Sequence, residues 1–302
     1  MRVLILGGSG MLGRRLAANL VTDGYEVVLL SRSPERVGEL PEGVRSVRWD
    51  GRTADGWGRL ADGAAAIINL AGESIAGGRW TAERRRAIVE SRTNAGAAVV
   101  GAVKAATVKP KLVIQISGVG YYGPHGSKEL TETDGPGNDF GAQVCVKWED
   151  ATAPVEAFGV RRAVIRTGVV LSPEALALRR LMLPYRFFVG GPLGSGRQWF
   201  SWIHIADYIA GVRFLMDHPE ATGTFNLGAP APLTNAEFGK ALGQTMGRPS
   251  WMPVPAFAMR LLFGEMSSVL LDGQRVIPGR LPDLGFRFRF PDAGSALRDL
   301  LK

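Results

Sequence analysis

The stretch Leu4-Ile5-Leu6-Gly7-Gly8-Ser9-Gly10-Met11-Leu12-Gly13 decides the fold. An apolar run, residues 3–6, enters glycines at once, and the pattern then opens a helix over 12–22. Gly7 and Gly10 let backbone N–H groups approach a diphosphate with no Cβ between, and Gly13 lets the helix pack close to the strand. The positive end of the helix then faces the phosphates, with Met11 and Leu12 in its first turn.

Outward from this turn, β-rich apolar runs alternate with helical patterns: 26–31, 66–70, 81–107 (helical) and 112–117. Strands separated by helices of that length pair in parallel through crossovers. The expected fold class is therefore α/β, a doubly wound parallel sheet of Rossmann type. A helical stretch follows at 144–158, and 161–171 reads as one buried strand carrying Ala163, Val164, Ile165, Val169 and Val170. Residues 172–199 mix prolines, arginines and a Gly-Gly-Pro turn, while 200–216 and 224–227 return to strand and helix patterns. Pro249, Pro253, Pro255, Pro278 and Pro282 separate the helical segments from Leu233 onward. The expected organisation is a core of 1–171 and 200–228 that binds the dinucleotide, and a smaller C-terminal substrate lobe of 172–199 and 229–302.

Composition narrows the function classes. The chain has 302 residues, 46% hydrophobic and 21% charged, which is enough for a large core. One cysteine, Cys145, excludes an intramolecular disulfide framework, and three histidines supply no usual zinc set, so no metal is expected. Residues 1–6 read as a strand rather than a leader, and no apolar run reaches the roughly 18–20 residues of a membrane span. The cytoplasm is the expected compartment. The net charge of +8 comes from scattered arginines; the densest run, 84–86, lies beside Glu83 and Glu90 in a helical pattern. An anionic cofactor or substrate uses such charge as well as nucleic acid does. Neither nucleic acid nor membrane is expected as a partner; a small-molecule substrate and a homodimer are.

Where a site that prefers NAD presents an acid at the end of the second strand, this chain has Ser31-Arg32. Arg32 can pair with a 2′-phosphate and Ser31 can donate to it, so NADP(H) is expected in preference to NAD(H).

Asn69-Leu70-Ala71-Gly72, Lys147 and the glycine turn together resemble the extended short-chain dehydrogenase/reductase superfamily over essentially the whole chain. Further segments resemble its atypical subgroup, the NAD(P)-dependent epimerase/dehydratase type with a small C-terminal domain of unknown function. They are Arg79-Trp80, Ser91-Arg92, Gly118-Val119-Gly120-Tyr121-Tyr122, Lys147-Trp148-Glu149, Arg166-Thr167-Gly168, Gly194-Ser195-Gly196-Arg197-Gln198, Trp202-Ile203-His204-Ile205-Ala206-Asp207 and Gly273-Gln274-Arg275-Val276-Ile277-Pro278. The resemblance implies that Gly7, Gly10 and Gly13 contact the pyrophosphate and that Ser31 and Arg32 contact the adenosine phosphate. It implies Leu70, Ala71 and Gly72 at the adenosine half, Arg92 and Val170 against the cofactor, and Lys147 at the nicotinamide ribose. A lysine there lowers the pKa of a neighbouring hydroxyl acid.

The catalytic pattern departs from the superfamily. The tyrosine expected four residues before the lysine is Gln143, whose carboxamide exchanges no proton near neutral pH. Ser117 ends a strand where the serine partner belongs. Three readings stay open: Tyr121 or Tyr122 substitutes as the acid, a water held by Gln143 and Ser117 carries the proton, or the protein binds NADP(H) and senses it without redox chemistry. On the substrate side, Arg197, Gln198 and Trp199 suit an anionic, partly apolar ligand such as a nucleotide-sugar. His204 and Asp207 read as residues that fix a helix start, and Cys145 as a buried, inert thiol. The leading expectation is an NADP(H)-dependent oxidoreductase or epimerase, an isomerase in the second case.

Overall fold

A computed structural model describes all 302 residues. Seven parallel strands form the central sheet: β1 (Arg2–Leu6), β2 (Glu26–Ser31), β3 (Val44–Arg48), β4 (Ala66–Asn69), β5 (Leu112–Gly118), β6 (Arg161–Thr167) and β7 (Gly223–Leu227). Their spatial order is β3-β2-β1-β4-β5-β6-β7. The chain winds outward from β1 to β3, then crosses back to β4 on the other side of β1. That reversal opens a crevice at the carboxyl ends of β1 and β4, where ligands of such sheets bind.

Alternation along the strands assigns the two faces. Val3 and Ile5 join one core with Leu16 and Leu20 of helix α1 (Met11–Val21) and with Tyr208 and Val212 of a later helix. Leu4 and Leu6 join the other with Ala95 and Val99 of α2 (Ala82–Ala105). With both faces covered, the inner strands β1, β2, β4 and β5 are mostly apolar. Gly96 allows α2 to press against α3 (Phe140–Asp150), since a Cβ there would stand 2.4 Å from that of Ala151.

The stretch 161–171, expected as one strand, is two. β6 stays in the sheet, while Val169–Leu171 turns away and pairs with Trp202–His204. The break is at Gly168, where a Cβ would meet the Ser201 carbonyl oxygen at 2.9 Å. Beyond it lies a third core, in which Leu178 and Tyr185 of α4 (Leu176–Arg186) meet Trp202, Phe238 of α6 (Asn235–Met246) and Leu297 near the C-terminus. Between them α5 (Ile205–Asp217) returns to the main sheet, and so do Leu281 and Phe286, which pack into the first core. Arg275–Val276 pairs with Glu129–Leu130, tying the C-terminal part to the loop after β5.

Candidate functional site

Three loops meet at the crevice. The first follows β1, where Gly7 has φ +72° and a Cβ would lie 3.0 Å from the backbone of Ala71. The β1 and β4 loops therefore touch through bare backbone. Gly13 is held by proximity: its Cβ would stand 2.5 Å from Gly8 Cα. Gly10 is the N-cap of α1 and supplies no side-chain cap, and no acidic residue occupies the first turn. The unsatisfied N–H groups of the half-buried Met11 and Leu12 and the positive helix end lie at the crevice.

The second loop follows β2. Ser31 is buried, its Oγ accepting from the Ser33 N–H at 3.2 Å, and Arg32 is exposed. Neighbouring Arg48 engages Glu35 and donates to the Arg32 carbonyl. The Arg32 guanidinium has no acidic partner.

The third loop is fastened from below. Asn69, fully buried, donates to Gln115 Oε1 at 2.9 Å and accepts from the Ala71 N–H at 3.2 Å, which sets the backbone of Leu70 and Ala71. Arg92 lies beneath Gly72, donating to the carbonyls of Glu73 (3.0 Å) and Ile88 (2.9 Å) and stacking 4.5 Å over Trp148. Burial holds its pKa below the ordinary arginine value. Its evident work is to support the loop.

At the far end of the crevice, β5 closes with Ser117, whose buried hydroxyl lies beside the Cys145 thiol and makes no conventional hydrogen bond. Burial pushes Cys145 up to about 11, and its thiol donates to the Gly118 carbonyl, so it stays protonated and inert. The two adjacent tyrosines separate. Tyr122 is fully buried; it donates to Asn226 Oδ1 at 2.7 Å and accepts from Arg166 at 3.1 Å. Burial raises its pKa to about 12. With its hydroxyl fixed in the core, Tyr122 cannot swing into the crevice, which removes it from the expected acids. Tyr121 is half-buried, and its ring lies flat on the Arg166 guanidinium, 3.2 Å from centroid to Cζ.

Asp139 caps α3 by accepting from the Ala142 N–H, and the helix packs along the turn carrying both tyrosines. Gln143 and Lys147, one turn apart, are both exposed. Gln143 bends back to donate to the Asn138 carbonyl at 3.1 Å, away from Ser117. Lys147 forms no ion pair.

Toward the third core, the three residues expected at the substrate diverge. Arg197 is exposed, whereas Gln198 joins two segments by donating to the carbonyls of Leu193 and Leu270. Trp199 is half-buried, reaching Ser127 and carrying Arg275 at 4.5 Å on its face. Val170 is half-buried in the short strand after Gly168. His204 and Asp207 are structural: His204 Nδ1 accepts from the Ala206 N–H at the start of α5, and Asp207 accepts from the N–H groups of Arg289 and Phe290.

Sequence reasoning missed the buried pair below the tyrosines. Arg166 donates to both oxygens of Glu149, at 3.0 and 2.9 Å. Glu132 adds a clamp, accepting from the N–H groups of Asn226, Gly279 and Arg280. The available signal was Arg166 inside an apolar run, since a charge there demands a partner.

With this geometry in hand, comparison with known proteins is specific. The profile described as the NAD dependent epimerase/dehydratase family matches residues 3–228. The chain belongs to that family. A domain of unknown function, DUF1731, matches residues 254–300. Among family members, the Bos taurus epimerase family protein SDR39U1 is 37% identical over the full length of both chains, and Bacillus subtilis YfhF is 36% identical, covering 98% of that protein. The crystal structure of human SDR39U1, solved with NADPH, is 34% identical with a TM-score of 0.88 over 99% of each chain. A Corynebacterium glutamicum nucleoside-diphosphate sugar epimerase is 34% identical with a TM-score of 0.78, covering all of this chain and 58% of that one.

Proposed function

We propose that the chain binds NADP(H) across the β1/β4 crevice and acts as an oxidoreductase or isomerase on a small anionic substrate of the nucleotide-sugar class. One observation carries the reading: an uncapped helix start floored by glycines that no Cβ can replace, with the unpaired guanidinium of Arg32 at the end of the next strand. A diphosphate fits the first element and a 2′-phosphate the second. NADPH in the human relative and the sugar-nucleotide name of the bacterial one support the same choice. NAD(H) meets the same floor without the arginine contact. A single cysteine, which leaves no disulfide to form within the chain, suits the cytoplasm.

The residues proposed to hold the cofactor are Gly7, Gly10, Met11, Leu12 and Gly13 at the diphosphate, and Ser31 and Arg32 at the 2′-phosphate. Leu70, Ala71 and Gly72 lie along the adenosine half, supported by Arg92, with Val170 and Lys147 nearer the nicotinamide. When bound, the nicotinamide supplies a hydride donor or acceptor at its C4. Lys147, free of ion pairs, orients ribose hydroxyls and holds positive charge beside them. Tyr121, whose hydroxyl makes no hydrogen bond within the chain, is the proton carrier this reading selects, with Ser117 orienting the reacting group. Arg197 offers an unpaired cation to an anionic substrate.

A second reading rests on Gln143, which has no group that ionises near neutral pH and is turned to Asn138. In it the protein binds the cofactor and senses it. Calorimetry with NADPH and NADH, on the native chain and Arg32→Asp, tests the shared premise. Losing a charge-assisted contact of about 1.5–3 kcal/mol weakens NADPH roughly 10- to 100-fold and NADH little. Equal losses remove the phosphate assignment, and absence of any binding ends both readings. Cofactor oxidation with a panel of carbonyls and nucleotide-sugars, abolished by Tyr121→Phe, supports the enzyme. Binding without turnover supports the sensor.

A further inference from the structure

Two helices of the smaller lobe carry apolar side chains on the side facing away from the protein. In α4, Leu178 and Tyr185 are buried inward. At about 100° per residue, Leu176, Leu183 and Phe187 fall together on the opposite side. They are 59%, 51% and 70% exposed, where water favours polar residues. Arg180 flanks this stripe on one side, and Arg179 and Arg186 flank it on the other. Helix α7 (Ala256–Phe263) repeats the arrangement: Met259 is buried, while Phe257 and Leu261, one turn apart, are 72% and 73% exposed.

A short ribbon joins the two helices, with Gly190 bridged to Ser250 and Leu193 to Val254. At its edge Phe188 and Trp251 are exposed, and the Trp251 indole donates to the Phe188 carbonyl at 2.9 Å. Phe188 is the one non-glycine residue with positive φ, +62°. An aromatic side chain adopts that backbone only when its surroundings impose it.

Charge selects the occupant. Residues 176–200 and 238–264 contain Arg179, Arg180, Arg186, Arg197, Lys240, Arg248 and Arg260, and no aspartate or glutamate. Arg179 and Arg186 also line an open cavity of about 490 Å³ with Met182 and Met246 at its edge. A second copy presenting this face would set like charges against each other. An anionic phospholipid surface satisfies both chemistries, taking the apolar tips at the acyl boundary and the guanidinium groups at the phosphates. We propose that α4, the ribbon and α7 dock the protein peripherally on an anionic bilayer. No helix is long and apolar enough to cross a membrane, so docking is adsorption. The lack of a spanning helix excludes a helical crossing and leaves adsorption at a surface open.

The test is co-sedimentation of the full chain with phosphatidylcholine vesicles with and without phosphatidylglycerol, alongside Trp251 emission. The expected result is binding to the anionic vesicles alone, weakened by salt, with a blue shift of emission. Arg179→Glu/Arg180→Glu/Arg186→Glu lowers partition by at least about a hundredfold, from roughly fivefold for each cation lost, and by more for each carboxylate gained. Phe187→Ser/Phe257→Ser lowers it on the order of tenfold. All five side chains are exposed, so an unchanged melting temperature and retained NADPH affinity verify the fold of each variant. Three results overturn the proposal: no association with anionic vesicles at low ionic strength, binding indifferent to the phenylalanine variant, or a solution dimer that this variant dissociates.

Discussion

Removing the carboxylate of Glu149 is the most demanding test of how the floor of the crevice is held. Arg166 and Glu149 are buried, with side chains 5% and 9% exposed, and they meet through two hydrogen bonds near 3 Å. Glu149→Ala leaves a guanidinium in the core with only the Tyr122 hydroxyl and the Tyr121 ring beside it. Breaking one side of such a pair costs about 3–5 kcal/mol, a third or more of the stability of many domains. Glu149→Gln keeps the volume and one acceptor and costs less. The double variant Glu149→Leu/Arg166→Met buries no charge and is expected to cost less than the sum of the single changes by about 2–3 kcal/mol. Urea unfolding followed by tryptophan fluorescence, read at constant m-value, measures the native chain, Glu149→Ala, Glu149→Gln, Glu149→Leu, Arg166→Met and the double variant. A Glu149→Ala cost below about 1 kcal/mol, or strict additivity in the double variant, would refute the claim that losing Glu149 leaves Arg166 as an uncompensated charge in the core.

Two pH responses follow from the same core. The Tyr122 phenol ionises near 10 when unfolded and at about 12 when folded, so its contribution is complete below pH 10 and lost as pH rises toward 12. Urea midpoints should reveal a loss on the order of 2–3 kcal/mol across that interval, and the gap between the native chain and Tyr122→Phe should narrow over it. His204 behaves oppositely: burial holds it below its ordinary value, so the unfolded chain takes the proton first and stability falls as pH drops through about 6.5. His204→Asn, which can still cap α5, should flatten that acid limb in urea titrations.

What was legible in the chain was whatever a periodic pattern or a backbone requirement imposes. The run from Leu4 to Gly13 announces strand, turn and helix together, because only glycine meets the contacts at Gly7 and Gly13. β2, β4 and β5 are buried on both faces and so largely apolar, with Asn69 and Gln115 bonded to each other inside the sheet. β3, an edge strand with sequence Val-Arg-Ser-Val-Arg, is half-exposed and carries almost no such signal. The pairing of Arg275–Val276 with Glu129–Leu130 spans two residues, too short for any period. The sequence admits both Tyr121 and Tyr122 as acids, Tyr122 equally as a packing residue, and one position along the turn after β5 puts one hydroxyl in the core and the other outside it. Gln198 looked like a ligand contact because nothing in its neighbourhood foretells the carbonyls of Leu193 and Leu270 that claim its amide.

Binding and chemistry rest on different parts of this chain, and Gln143 is where they come apart. The features proposed to grip the cofactor are mostly backbone: bare glycines, helix N–H groups and a loop held by Asn69. A side-chain change on α3 leaves them intact. Gln143 is exposed and makes one hydrogen bond, to the Asn138 carbonyl, so Gln143→Tyr should cost about 1 kcal/mol of stability or less and leave NADPH affinity within about twofold. It places a phenol one turn before Lys147, the spacing that puts both on one face of the helix. If Tyr121 is already the acid, turnover by Gln143→Tyr equals that of the native chain, and Tyr121→Phe is rescued by adding it. If the native chain only senses the cofactor, Gln143→Tyr alone creates activity. Measured NADPH oxidation that is absent in both proteins, with binding retained, would mean that the crevice near Ser117 admits no reacting carbonyl, and the missing tyrosine would then be a consequence of lost chemistry rather than its cause.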